Sequence, residues 1–351
     1  MSPNTTGPAA FGRRRRESVS LLESARVTAE PLLPTSATPL LLRPAMEGVN
    51  LPVWVEENRD TIREQLLTHG AVLFRGFSAL REVSEFEHII RCIGGGDLLS
   101  YSYASTPRTQ VSGGIYTSTE YPADQEIRLH NEMAYARRWP MKLGFYCITA
   151  ASGGGETPLA DSRLIYQHIP ARIRERFERL GVMYVRNYDE GLDLPWQNVF
   201  GTTEKSEAEE FCRGVGIEFE WKPGGGLRTR QVCQAALAHP VTGEQVWFNQ
   251  AHLFHVSSLA KNVRTSLLGT FAEEDLPRNA CYGDGSRIDP EDLDTIRQAF
   301  HEQEIVFPWC SGDIVVVENM LAAHGRRPFS GPRRVVVGMA EQFDGTTAEH
   351  N

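Results

Sequence analysis

The sequence predicts a mainly β fold with flanking helices and a sandwich- or barrel-like core. Two observations carry this. From about residue 140 onward, short β-branched and aromatic runs recur between turn signals: "MKLGFYCITAA" (141–151), "GVMYVRNY" (181–188), "GIEFEWKPG" (216–224), "EQVWFNQ" (244–250), "EIVFPW" (304–309), "GDIVVVEN" (312–319) and "RRVVVGMAEQF" (333–343). Helical periodicity, by contrast, is confined to a few segments. One helix is predicted over "NLPVWVEENRDTIREQLLTHG" (50–70), where Ile62, Leu66 and Leu67 share a face and Gly70 follows the end. "AVLFRGF" (71–77) reads as a strand and "SEFEHIIRCIG" (84–94) as a second helix stopped by Gly94. Further helices are expected at "SRLIYQHIPARIRERFERLG" (162–181) and near "DPEDLDTIRQAFHEQE" (289–304). Residues 1–45, rich in proline and without a clean period, read as a flexible leader, and 46–345 as a single domain.

Composition narrows the function classes. The chain has 351 residues, 41% hydrophobic and 23% charged, which suits a globular protein with a full core. No apolar run reaches the length of a membrane span. A formal charge of −9 argues against a nucleic-acid partner, which would call for a basic face. The basic cluster "RRRR" (13–16) has no apolar segment after it, so it is not a secretory signal; it reads as a solvated tail in preference to a targeting element. The six cysteines are scattered without a Cys-x-x-Cys pair, which fits a reducing cytoplasm better than a disulfide framework or structural zinc.

The chemistry-bearing stretch is "EIRLHNEMAYARRWP" (126–140), with His130 and Glu132 two residues apart. Alone, this pair could be surface polarity. Candidates for a third ligand are His168, His239, His252, His255, His301, His324 and His350. His324 stands apart. It follows an apolar strand, and nine and ten residues later the paired Arg333 and Arg334 open the next one. Two imidazoles and a carboxylate on one face of iron(II) leave three positions open. A 2-oxo acid can fill two of these and dioxygen the third, and the far carboxylate of the acid then calls for an arginine, whose fork accepts it bidentately.

From the His-x-acid pair to the paired arginines, the sequence resembles the taurine-dioxygenase-like (TauD/TfdA) family of iron(II)/2-oxoglutarate oxygenases. The resemblance spans about residues 65–343 and rests on "GAVLFRGF" (70–77), "LHNEMAY" (129–135), "GGGETPLADSR" (153–163), "TGEQVWFNQAH" (242–252) and "ENMLAAHGRRPFSGPRRVVVGMAE" (318–341). It implies a double-stranded β-helix, a cupin-like jelly roll. It also implies iron(II) held by His130, Glu132 and His324, 2-oxoglutarate clamped by Arg334 and assisted by the Thr157 hydroxyl, and dioxygen as oxidant. Strand alternation sends only one of the two arginines inward, and spacing favours Arg334 over Arg333. Many members carry Asp where this chain has Glu132. Sulfonate-binding members place a second arginine four residues beyond the first, where this chain has Gly338, so taurine is not the expected substrate. Glu132 also fills the place that halogenating relatives leave to chloride.

The long polar approach to His130, "YSYASTPRTQVSGGIYTSTEYPADQEIRLH" (101–130), carries Arg108 and Glu126 as candidates to pair a substrate carboxylate and amine. His252 and His255, three residues apart, read as core or channel lining. The resemblance is greatest to SyrP-like members that hydroxylate amino acids, free or tethered to a carrier protein, in bacterial secondary metabolism. Desaturation or epoxidation of a small-molecule intermediate needs only a changed substrate pose. Two readings from other classes are a zinc hydrolase built on the same three ligands and a ligand-binding barrel without turnover. A cytoplasmic protein acting on a small molecule is expected, and the sequence leaves homo-oligomerisation open.

Overall fold

A computed structural model describes residues 26–100, 108–119, 121–188 and 194–345. The basic cluster at 13–16 and His350 lie outside these, as does most of "YSYASTPR". The largest element is an eight-stranded sheet in the order Val27–Leu33, Ser36–Pro44, Ala71–Phe74, Ile314–Glu318, Arg138–Thr149, Arg334–Asp344, Ile115–Thr117, Gln110–Ser112. All neighbours are antiparallel except Ser36–Pro44 beside Ala71–Phe74. Strand alternation sorts its side chains onto two faces. Val72, Phe74, Tyr146, Ile314, Val316 and Val336 pack with Trp54, Ile62, Leu66, Phe86, Ile89 and Ile90 from three helices, Leu51–Glu57, Arg59–His69 and Val83–Gly94. Leu73, Leu143, Phe145, Val315, Val317, Val335 and Val337 face the other way, into a cluster shared with Leu159 and Ala322. Those last two lie on a three-stranded sheet, ordered Ile127–His130, Ala322–Arg326, Leu159–Asp161, that faces the large one. The result is the two-layered jelly roll that the sequence predicts. A four-stranded sheet (Glu218–Trp221, Leu227–Cys233, Val182–Tyr188, Arg278–Tyr282) and the helices around it add a second core beside the barrel.

Several local expectations are corrected. The predicted leader is not a leader from Val27 on: Val27–Leu33 and Ser36–Pro44 form an edge hairpin of the large sheet, with Leu40, Leu41 and Leu42 buried. Its alternation is hidden because Leu40–Leu42 are buried on both faces of the sheet, giving a continuous apolar run. The helix over 50–70 is two helices broken at Asn58, whose backbone (φ −116°, ψ 17°) is not helical. Likewise, 162–181 splits at Pro170, which supplies no N–H to the helical ladder. Gly94 is the last helical residue and Gly95 (φ 75°) is the left-handed stop. "EIVFPW" forms no strand; Ile305 makes only a reciprocal pair of hydrogen bonds with Leu159.

Deleting residues 26–45 therefore removes two paired strands and a layer of buried leucines. The expected outcome is loss of cooperative folding or a fall in Tm of 10 °C or more, on the order of several kcal/mol for the buried leucines alone, checked by thermal unfolding.

Candidate active site

The register of the small sheet places the first two candidate ligands. His130 ends the strand Ile127–His130, and His324 sits directly opposite it on Ala322–Arg326. Their ring centroids are 4.5 Å apart. Glu132 follows His130 just before a turn in which Met133 takes φ 55°, and its Oε2 comes within 3.9 Å of His324 Nε2. One ligand atom from each of the three side chains lies within 4.8 Å of the others.

The surroundings prepare these groups for a cation. His130 Nδ1 donates to the Arg128 carbonyl at 2.8 Å, which leaves the Nε2 lone pair free. The His324 ring is wedged between His130 and Phe145, with centroids 5.0 Å from the latter. Its Nδ1 is buried without a hydrogen-bond partner among the described residues, so packing alone orients it. Burial pushes both imidazoles below their usual range, His324 the further, with Arg108 adding to the effect on each; Glu132 pulls His130 back in part. Both rings are therefore neutral near pH 7, as ligands must be. Two neutral imidazoles and a buried carboxylate form the facial donor set that suits iron(II), and the residues fit the metal.

Asn319 holds Glu132 from behind, a role the sequence reading missed. Its Oδ1 accepts from the Glu132 N–H at 2.8 Å, while its Nδ2 donates to the Glu132 and Pro140 carbonyls at 2.9 and 2.8 Å. Asn131 Nδ2 in turn donates to the Asn319 carbonyl at 2.6 Å and to Ser162 Oγ at 3.0 Å. The one available signal was a polar "EN" closing the apolar strand Ile314–Glu318. Glu318 itself is fully buried, paired with Lys142 and 3.4 Å from His239 Nε2. His239 Nδ1 accepts the N–H groups of Val241 and Thr242, so Nε2 carries the proton toward Glu318.

A narrow cavity bordered by His130 and His324 is also lined by Thr157, Phe145, Arg326 and Arg333. The inward arginine is Arg333, not Arg334. Val335 and Val337 face the barrel interior, so alternation puts Arg333 on their side and turns Arg334 to solvent. Spacing alone could not settle the parity. Arg333 Nε donates to the Gly155 carbonyl at 2.9 Å and Nη1 to Ser118 Oγ at 3.3 Å, and burial lowers its pKa to about 10. Gly155 has φ 77°, and a Cβ there would stand 3.0 Å from Arg333 Cδ, so glycine gives the guanidinium its passage. The position four residues beyond the inward arginine is then Val337 instead of Gly338, whose missing side chain faces Ile115 and the outer helices. Neither is basic, so the expectation of no second anion clamp there is unchanged.

Thr157 is buried in this cavity, its Oγ1 accepting from Trp309 Nε1 at 3.1 Å. Arg326 was also missed. It is buried and donates to the carbonyls of Tyr121, Pro122 and Gln125 at 2.9, 2.6 and 2.8 Å, pinning that segment over the site. The two expected substrate contacts both line the outer cavity and are each paired: Arg108 donates to Glu132 Oε2 at 2.6 Å, and Glu126 pairs with Arg327 at 3.0 Å. An outer cavity of about 760 Å³ opens onto His130 and Glu132 and is walled by Leu253, Phe254, Val263 and Leu267. His252 and His255 stand outside the triad. His252 stacks on Phe300 at 4.3 Å and contacts the Leu129 carbonyl at 3.2 Å, and burial lowers its pKa to about 3.

Asn319→Ala removes both ties to the Glu132 backbone and is expected to weaken binding of Co(II) or Mn(II) by 10-fold or more, toward the upper part of the range of about 10–100-fold for outer-shell partners, as read by titration. For His252, a folded pKa below the unfolded value of about 6.5 means that protonation favours unfolding. Its penalty appears as pH falls below about 6.5 and grows until about 3. His252→Gln should therefore flatten the loss of Tm between pH 7 and pH 4 and leave metal affinity in place.

Comparison with known proteins agrees with this geometry. Residues 29–340 match the family described as "Taurine catabolism dioxygenase TauD, TfdA family". The chain is 42% identical over 280 residues to the dapdiamide synthesis protein DdaC of Enterobacter agglomerans, covering 80% of this chain and 84% of that protein. It is 30% identical over 308 residues to a clavaminate synthase-like protein of Arabidopsis thaliana, covering 84% and 89%. Among solved structures, PvcB of Pseudomonas aeruginosa shares the fold at a TM-score of 0.55 with 16% identity, covering 90% of this chain and 91% of that one. The chain belongs to the TauD/TfdA family of dioxygenases.

Proposed function

We propose that this enzyme hydroxylates an amino-acid-like small molecule, free or presented on a carrier protein, in a biosynthetic pathway. As a TauD/TfdA dioxygenase it uses iron(II), 2-oxoglutarate and dioxygen. When bound, the iron supplies the oxidising power that cleaves an unactivated C–H bond as 2-oxoglutarate is converted to succinate and carbon dioxide. The residues of this chain do the rest. His130, Glu132 and His324 would hold the metal through two imidazole nitrogens and a carboxylate oxygen. Arg333 and Thr157, which line the inner cavity, would hold the far carboxylate of 2-oxoglutarate, with Gly155 and Ser118 fixing the guanidinium. The outer cavity receives the substrate on the His130 and Glu132 side, between an apolar wall of Leu253, Phe254, Val263 and Leu267 and the charged Arg108 and Glu126.

The observation that carries this reading is the convergence of the triad with an inward arginine behind it, which neither a zinc hydrolase nor a passive barrel would call for. The similarity to DdaC, a synthesis protein, supports a biosynthetic substrate. The absence of a basic residue at Val337 speaks against a sulfonate. Epoxidation or desaturation of a small-molecule intermediate is the second reading, because the same cavities serve it with a different substrate pose. No helix among the described residues is long and apolar enough to cross a membrane, and all six cysteines are free, which supports a cytoplasmic setting.

Anaerobic addition of iron(II) and 2-oxoglutarate should produce a weak visible charge-transfer band. It is expected to vanish in His130→Ala, and in Arg333→Ala to require at least about 10-fold more 2-oxoglutarate, the loss of a charge-assisted bidentate contact. Arg334→Ala should match wild type. A normal titration in Arg333→Ala would refute the assignment of the inward arginine. Succinate release on screening amino acids and aminoacyl carrier proteins would then identify the substrate.

A further inference from the structure

We propose that Arg108 is a positioning residue for the ligand carboxylate, and that its hold on Oε2 makes glutamate, not the shorter aspartate, the working ligand at position 132. This rests on the metal-site reading above. Both side chains of the pair are 4% exposed, and Nη2 donates to Oε2 at 2.6 Å. Oε2 is also the oxygen 3.9 Å from His324 Nε2, so the guanidinium and the imidazole meet at one atom of the ligand. Arg108 borders both the inner and the outer cavity. Its neighbour Thr109 is tied to Thr117 by two hydrogen bonds, of 2.9 Å to Oγ1 and 2.8 Å to the backbone N–H. The large sheet thus delivers the guanidinium to the carboxylate of Glu132, two residues beyond the small-sheet strand Ile127–His130.

A glutamate ligand has one more rotatable bond than aspartate and two oxygens with which to approach a metal. Left free, it can chelate through both and occupy a position the co-substrate requires. A short charge-assisted hydrogen bond from one side removes that freedom. Asn319 fixes the Glu132 backbone at both its N–H and its carbonyl, so the chain cannot follow if the arm is shortened. An aspartate, shorter by about 1.5 Å, would reach either Arg108 or the space between the imidazoles.

The test is anaerobic Co(II) titration, followed by d–d absorption, of wild type, Arg108→Lys, Arg108→Met, Glu132→Asp and the Arg108→Met/Glu132→Asp double variant, with melting curves to establish folding. Affinity should fall in the order wild type, Arg108→Lys, Arg108→Met, the last by about 10-fold or more. Glu132→Asp should lose about as much, and the double variant should lose less than the product of the single losses, because the competing hold is gone. Equal affinity across the Arg108 series, or losses that multiply independently, overturns the proposal, as does a series in which only substrate affinity changes. If Arg108→Met does not fold, the comparison of Arg108→Lys with wild type decides it. A wild-type protein that binds no Co(II) removes the metal reading itself, a failure distinct from an unresponsive Arg108 series.

Discussion

The pairing of His130 with His324 across two antiparallel strands is the constraint on which the rest of the site depends. Nearly two hundred residues separate them in sequence, yet one register step decides whether they meet. A shift by one residue would turn one ring to the opposite face of the sheet. The register is secured from several directions. Leu159 pairs with His324 on the far side of the same strand, and Gly325 lies so close to the Ile127 carbonyl that a Cβ would stand 2.7 Å from it. Behind the turn, Asn319 ties the end of one large-sheet strand to the backbone of Glu132. The Glu132 backbone is thus tied to the large sheet, whereas the two imidazoles are carried by the small one.

Much of this was legible in the sequence because the relevant signals are local and chemical. His-x-Glu before a turn, a histidine after an apolar strand and two arginines opening the next are short patterns whose chemistry makes sense only together, and the structure brings His130, Glu132 and His324 within reach of one another. What the sequence could not supply was parity and long-range contact. The choice between Arg333 and Arg334 turns on which face of the strand looks inward, and "RRVVV" has no polar alternation to reveal it. Arg108 reads as an open cation until Glu132, 24 residues on, is placed beside it. Asn319 looks like an ordinary strand-end polar residue until the backbone it clamps comes into view. The N-terminal hairpin was obscured by its own burial, since a run such as "PLLLRP" has no period to read.

Arg326 and Arg333 illustrate how the barrel spends positive charge. Both guanidinia are largely buried, and the acceptors they meet are uncharged: three backbone carbonyls for Arg326, and the Gly155 carbonyl and the Ser118 hydroxyl for Arg333. Carbonyl dipoles satisfy hydrogen bonds without neutralising charge, so the inner cavity keeps a net attraction for an anion of matching length. Lys142 shows the opposite solution on the same scaffold: its ammonium is buried against Glu318 and Glu341, and the two carboxylates neutralise its charge where it stands.

The division of the large sheet into two faces also bears on how this enzyme can change. Along the strand Arg334–Asp344, Val336 packs toward the helices, whereas Val335 and Val337 line the inner cavity. Substitutions on the helix-facing set change packing away from the cavities, while those at Val335 and Val337 change the inner cavity together with the core around it. Heat tolerance can therefore be adjusted at the helix-facing positions with little disturbance of the inner cavity, whereas a change of cavity shape at Val335 or Val337 also carries a packing cost.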